Sequence, residues 1–221
     1  MSEHEKRADM FNVRTGEAQV IELAEAHIEK YVGNIETVMH EIESDDLHID
    51  VHVVLATEEQ PFVTLITTGM SDLPMAVEDP ELQYAELFFC LPPDWPISLE
   101  AFNDEANYWP IRWLKMLARY PHQAGTWLGQ GHTIPNGNPP EPLGDFTDMS
   151  GILLMPPLFL PDEFATLYVS DEKVINFYQL LPLYREEMEL KVEKGADVLF
   201  EKFQENIPAD LLLYPERPNV C

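Results

Sequence analysis

The sequence has 221 residues, 45% hydrophobic and 24% charged, a globular balance that supports one substantial core and excludes a disordered acidic tract. Its 13 Lys and Arg against 40 Asp and Glu give a formal net charge of -27 at pH 7. That field repels phosphate backbones and anionic lipid, argues against a direct nucleic-acid role, and draws in basic surfaces when salt is low.

Residues 1–14 are polar and predict a flexible segment, leaving 15–221 as one expected domain with no internal repeat or linker. Thr15 can cap a helix whose stripe of Val20, Leu23, Ala24, His27, Ile28 and Tyr31 runs to Gly33. Strands are predicted over 37–42, 48–55, 62–67 and 82–91, the last ended by Pro92 and Pro93, which supply no ladder donor. The apolar run Leu87–Leu91 encloses Cys90, and the only other cysteine is Cys221. This predicts a buried thiol and a terminal one, with no bridge, in a reduced and cytoplasmic protein. No basic-then-apolar leader opens the sequence, and no apolar run approaches the roughly 18 residues needed to cross a bilayer.

Pro110 suits a first helical turn, with Ile111, Leu114, Leu117 and Ala118 forming the buried stripe and Trp113 widening it, until Pro121 stops the helix. Residues 121–148 are rich in Gly, Pro, Asn and Asp and read as an extended loop, pinned to the body at Trp127, Leu128 and Ile134. Strands resume over 151–155, 164–169 and 174–180. A final helix over 185–206 buries Met188, Val192, Ala196, Leu199 and Phe203, with a Glu187–Lys191 pair on its wet side. The expected fold class is α+β, a mixed or largely antiparallel sheet packed against helices.

Few residues suggest chemistry. His48, Asp50 and His52 alternate on one predicted strand and share a face, a donor set suited to zinc or iron. Successive groups on a straight strand stand nearly 7 Å apart, however, so adjacent side chains would have to lean together or be joined by a distant ligand such as Asp72 or His132. The run Gly69–Met75 lacks the spacing and lysine of a phosphate loop, and Ser71 lacks a nucleophile elbow. Cys90 has no sequence-local base, so no catalytic residue and no cofactor is expected. The richest polar loop is Gly125–Gly137, in which Trp127 offers an aromatic anchor and His132, Thr133 and Asn136 offer hydrogen-bonding groups.

Six segments, Gly69–Met75, Glu86–Trp95, Asn107–His122, Thr126–Gly137, Ile152–Pro157 and Ile175–Met188, resemble the suppressor of fused domain family, particularly its compact bacterial members. The resemblance implies a mixed-sheet α+β domain that binds another protein and is not an enzyme. Animal members hold a transcription factor as an added strand between two domains, of which one is expected here. Bacterial members include immunity proteins that neutralise toxins, which implies an antitoxin-type role with a basic partner or a cognate toxin. Mapped onto the family's shared polar segments, the candidate binding residues are Asp72, Asp94, Trp95, His132, Thr133 and Asn136, joined by Trp127. The alternative expectation is a metal-dependent enzyme or hydrolase using His48, His52, Asp72 and His132.

Overall fold

The computed structural model describes residues 19–40 and 47–221. The predicted segment over 1–14, Thr15 and the end of the 37–42 strand therefore lie outside the described residues. A helix described over 19–31 (α1) leads to β1 (Ile35–Met39), β2 (Asp50–Val54), β3 (Val63–Thr68) and β4 (Tyr84–Leu91). Helix α2 (Glu105–Ala124) follows, then β5 (Thr133–Pro135), β6 (Gly151–Met155), β7 (Thr166–Ser170), β8 (Lys173–Leu183), α3 (Arg185–Lys194) and α4 (Ala196–Asn206). The strands form one sheet in the order β1-β2-β3-β4-β8-β6-β5, with β7 also paired to β8.

Every described pairing is antiparallel except β4 with β8, so the sheet is mixed and the fold is α+β. β8 is the hub. It pairs in parallel with β4 from Ile175 to Gln179 and antiparallel with β6 from Gln179 to Leu183. Its side chains alternate between two apolar layers, as a strand covered on both faces must. Tyr178 and Leu180 join the layer under α2, with Trp109, Trp113, Leu114 and Leu117. Ile175 and Phe177 pack on the other side with Ile28 of α1 and Phe164, while Leu181 and Leu183 meet Met188, Leu199 and Phe203 of α3 and α4.

Both prolines of the Trp113 helix lie inside it, contrary to the sequence expectation. Asp104 caps α2 by accepting from the Ala106 N–H, so Pro110 falls in the second turn, and Pro121 is followed by His122, Gln123 and Ala124 before Gly125 ends the helix at φ 60°. The Pro121 carbonyl still accepts from Thr126, which closes the last turn despite the donor that proline lacks.

The expected long final helix is two helices. Gly195, at φ 93°, separates α3 from α4. The break removes Val192 from the buried stripe, leaving it 76% exposed, whereas Met188, Leu199 and Phe203 remain buried. Glu187 is not on the wet side either. Its carboxylate is fully buried and takes a bidentate pair of bonds from Arg217 at 2.7 and 2.6 Å, so the C-terminal strand of chain is strapped across the start of α3. Lys191, freed from that partner, donates to the Gly131 carbonyl.

Candidate functional site

Asp72 belongs to a tight loop organised around a buried carboxylate. Glu86, on β4, is withdrawn from water and accepts from the Gly69 N–H and Ser71 N–H at 3.0 Å, the Ser71 hydroxyl at 2.7 Å and the Thr67 hydroxyl at 2.6 Å. Burial raises its pKa above the ordinary carboxylate value, while the donors of Thr67 and Ser71 pull it back. Gly69 has φ 107°, and a Cβ there would stand 2.0 Å from the His48 carbonyl oxygen, so glycine is required both for backbone angle and for space. His122 at the end of α2 bonds the Met70 carbonyl at 3.1 Å, and Lys173 donates to the Ser71 carbonyl at 2.6 Å. Asp72 is half-buried at the end of this assembly.

The long loop leaves α2 through Thr126, whose carbonyl accepts from Ala76, and is pinned by Leu128, which is buried. Trp127 packs partly against the main core and sets its ring 4.3 Å from the His132 ring in an edge arrangement. A side chain at Gly129 would strike that indole at 2.5 Å. Burial first, then the Lys191 ammonium, holds the His132 imidazole below its ordinary pKa. The residues after it are not structureless: Thr133–Pro135 add a short strand to β6. Asn136 then turns its amide inward, donating to the Glu141 and Pro142 carbonyls at 3.1 and 2.7 Å. Arg112 holds the loop's far end through the Leu143 carbonyl, and Phe146 stacks on Trp109. The excursion therefore runs back along α2 from its C-terminal end.

β5 lies at the end of the strand order and so presents a sheet edge. Beside it lies an open, mostly apolar groove of about 330 Å³ lined by Thr133, Pro135, Pro140, Met188 and Val192, with the charged Arg185, Glu189 and Glu193 also bordering it. The hydroxyl of Thr133 is buried there without a hydrogen-bond partner. Thr133, expected as a hydrogen-bonding loop residue, borders this groove, and Val192, expected in the core stripe, forms the other wall; an apolar residue within the polar sequence of α3 is the signal that marks it.

Asp94 and Trp95 stand elsewhere. The Trp95 indole donates to the Asn107 carbonyl at 3.2 Å, near the start of α2, whereas Asp72 and Trp127 lie at its other end. From Asn107 to His122 the helix rises about 22 Å. The candidate binding residues are thus divided between the two ends of α2, with Asp94 exposed.

The predicted His48–Asp50–His52 set is rearranged. His52 is 1% exposed, bonds Thr68 Oγ1 at 2.9 Å and lies 3.8 Å from Glu25 of α1. Burial lowers its pKa to about 4, against the pull of the Asp50 carboxylate. In its place His40, just past β1, meets Asp50 from across the ladder. His40 Nδ1 is 2.9 Å from one Asp50 oxygen and His48 Nε2 is 2.9 Å from the other. Among the described residues, this is the group of three His, Cys, Asp or Glu side chains whose donor atoms lie within 4.8 Å of one another. His52, Asp72 and His132 are absent from it, so the four residues of the expected enzyme site do not assemble. Cross-strand register, which brings His40 opposite Asp50, cannot be read from spacing within one strand. The Cys90 thiol is buried and its pKa is pushed up strongly, which leaves it an inert core group. No helix among the described residues is long and apolar enough to cross a membrane.

The model of the suppressor of fused protein family matches residues 45–218. Three solved structures share the fold at low identity. A suppressor of fused homolog from Neisseria gonorrhoeae aligns with a TM-score of 0.60 and 19% identity, over 90% of this chain and 96% of that one. The Sufu–Fu complex aligns with a TM-score of 0.60 and 14% identity, over 94% of this chain and 91% of that one. Drosophila Suppressor of Fused aligns with a TM-score of 0.61 and 14% identity, over 91% of this chain and 50% of that one. A comparison with curated proteins finds no match.

Proposed function

This chain belongs to the suppressor of fused protein family, and from that premise we propose that it works by binding another protein, with residues 15–221 acting as one domain. The observation that carries the reading is the sheet edge at β5 lying directly beside the apolar groove of Met188 and Val192. A partner segment in extended form pairs with the β5 backbone and seats an apolar side chain in the groove, the two components of recognition by strand addition. The net charge of -27 favours a basic partner and speeds its approach. A relative solved as the Sufu–Fu complex supports a protein ligand. The finer reading, supported by the likeness to a bacterial homolog, is an antitoxin-type immunity domain of a bacterial protein that neutralises a cognate toxin in the cytoplasm.

The experiment begins with pull-down from native cells at low and then raised salt. Affinity and thermal unfolding are then measured for the recovered partner with Val192→Asp, Trp127→Ala and a distant surface variant. Val192→Asp weakens binding without lowering the melting temperature, because Val192 is exposed. Trp127→Ala costs about 2 kcal/mol or more of binding if its ring is an anchor, and an equal loss of folding stability identifies it as a support for the loop. Failure to recover a partner at either salt, or unchanged affinity in both variants, overturns the reading.

A further inference from the structure

The geometry of His40, His48 and Asp50 points to a site for one late first-row divalent cation, of the zinc, cobalt or nickel class, at the end of the β1–β2 pair where the chain passes from one strand to the other. Two imidazoles and one carboxylate are a donor set for such ions and a poor one for magnesium or calcium, which take oxygen ligands. The site has an anchor and an accessible mouth. The Asp50 side chain is 11% exposed, while those of His40 and His48 are 71% and 49% exposed.

The supporting backbone is fixed on three sides. Met39 pairs with Val51, which places His40 across the ladder from Asp50. The Leu47 carbonyl accepts from Arg119 of α2 at 3.3 Å. The His48 carbonyl lies against Gly69, so closely that any larger residue would collide with it, and Gly69 is itself tied to buried Glu86 at 3.0 Å. A preorganised shell of this kind lowers the entropy cost of bringing ligands together.

Each imidazole now faces an Asp50 oxygen at hydrogen-bond distance. Metal binding replaces those contacts by nitrogen–metal bonds. Each ring then binds the ion through the nitrogen that faces Asp50 and carries its proton on the other nitrogen. Metal bonds of about 2.0–2.2 Å require the donor atoms to close up from their present spread of up to 4.8 Å, a movement that two exposed side chains make by torsion alone. Three protein ligands leave at least one coordination position for water or a further ligand. The strongly negative field of the whole chain raises the local cation concentration.

The test uses full-length, tag-free protein carrying Cys221→Ser, to remove the exposed thiol, after chelation and desalting. Calorimetric titration with zinc or nickel gives saturable uptake of about one ion per chain and a rise in melting temperature, and magnesium and calcium give neither. His40→Ala and His48→Ala each weaken binding at least tenfold and abolish the thermal shift. Their metal-free melting curves stay close to the parent because both side chains are largely exposed. Asp50→Asn weakens binding similarly, and His122→Gln leaves it unchanged. Absence of saturable uptake, or uptake equal in the parent and both histidine variants, overturns the site and leaves the cluster as a pair of ordinary hydrogen bonds.

Discussion

Glu86 and Glu187 are both withdrawn from water, yet the molecule keeps them by opposite means. Glu86 is held by neutral donors drawn from Thr67, Gly69 and Ser71, all on the neighbouring strand and the loop that follows it. Glu187 is held by the guanidinium of Arg217, 30 residues away, with the Tyr184 and Val220 N–H groups completing the cage. The first arrangement fixes the shape of one loop and, through Gly69, the start of β2. The second fastens the C-terminal segment to α3, beneath the groove that borders β5. Local donors and a distant counter-charge therefore produce two anchors with different reach, and their loss should be felt in different places.

The largest effect is expected on the charged anchor. Arg217→Met leaves the Glu187 carboxylate buried without a counter-charge and lowers stability by about 3–5 kcal/mol. Replacing both, as Glu187→Met with Arg217→Met, recovers most of that loss because two apolar side chains of similar volume need no desolvated ions. Chemical denaturation of the two single variants and the double variant checks this. Near-additive losses would show that packing of the strap, and not the charge pair, dominates.

The neutral anchor is expected to be less costly to disturb. Glu86→Gln keeps one carbonyl oxygen for Gly69 and Ser71 but turns an amide toward the Thr67 hydroxyl, which already accepts from Leu87. A loss of about 1–3 kcal/mol follows. Hydrogen exchange should localise it to the Gly69 and Ser71 amides, while the Val220 amide in the C-terminal strap stays protected. Increased exchange at both places would erase the distinction between the anchors.

The smallest effect concerns a third buried polar group of the neutral kind. His27 bonds the Phe164 carbonyl at 3.1 Å and packs against the Phe164 and Phe177 rings, and burial lowers its pKa despite that bond. A histidine with a depressed folded pKa binds its proton more readily in the unfolded chain. Stability is accordingly lost as pH falls from about 6.5 through the lowered folded value, by at most about 1.4 kcal/mol per pH unit for one group. The difference in unfolding free energy between wild type and His27→Phe, followed across that range, isolates the contribution. A difference independent of pH would remove His27 from this class.

The sequence by itself determined much of the architecture. Prolines at 92 and 93 located the end of β4, the apolar run around Cys90 identified a buried strand, and the 3.6-residue stripe of Ile111, Leu114, Leu117 and Ala118 identified the buried face of α2. These signals are local, because burial of a face imposes a period on the residues that form it. The turn residues of 121–148 likewise exposed a long excursion, although not the short strand β5 within it.

What only the tertiary structure decided depends on residues distant in sequence. Glu187 looked like half of a surface helix pair until Arg217 reached it from the C-terminal segment, and Val192 looked like core until Gly195 redirected the chain. His52 shared a strand face with Asp50 but was covered by α1, whereas His40 was brought to Asp50 by antiparallel register. A carboxylate, an imidazole or a valine carries no mark in the sequence of whether its neighbour is water, a counter-charge or a helix. That identity is set by long-range closure of the sheet and its covering helices, which is why the fold was more legible than the placement of its polar side chains.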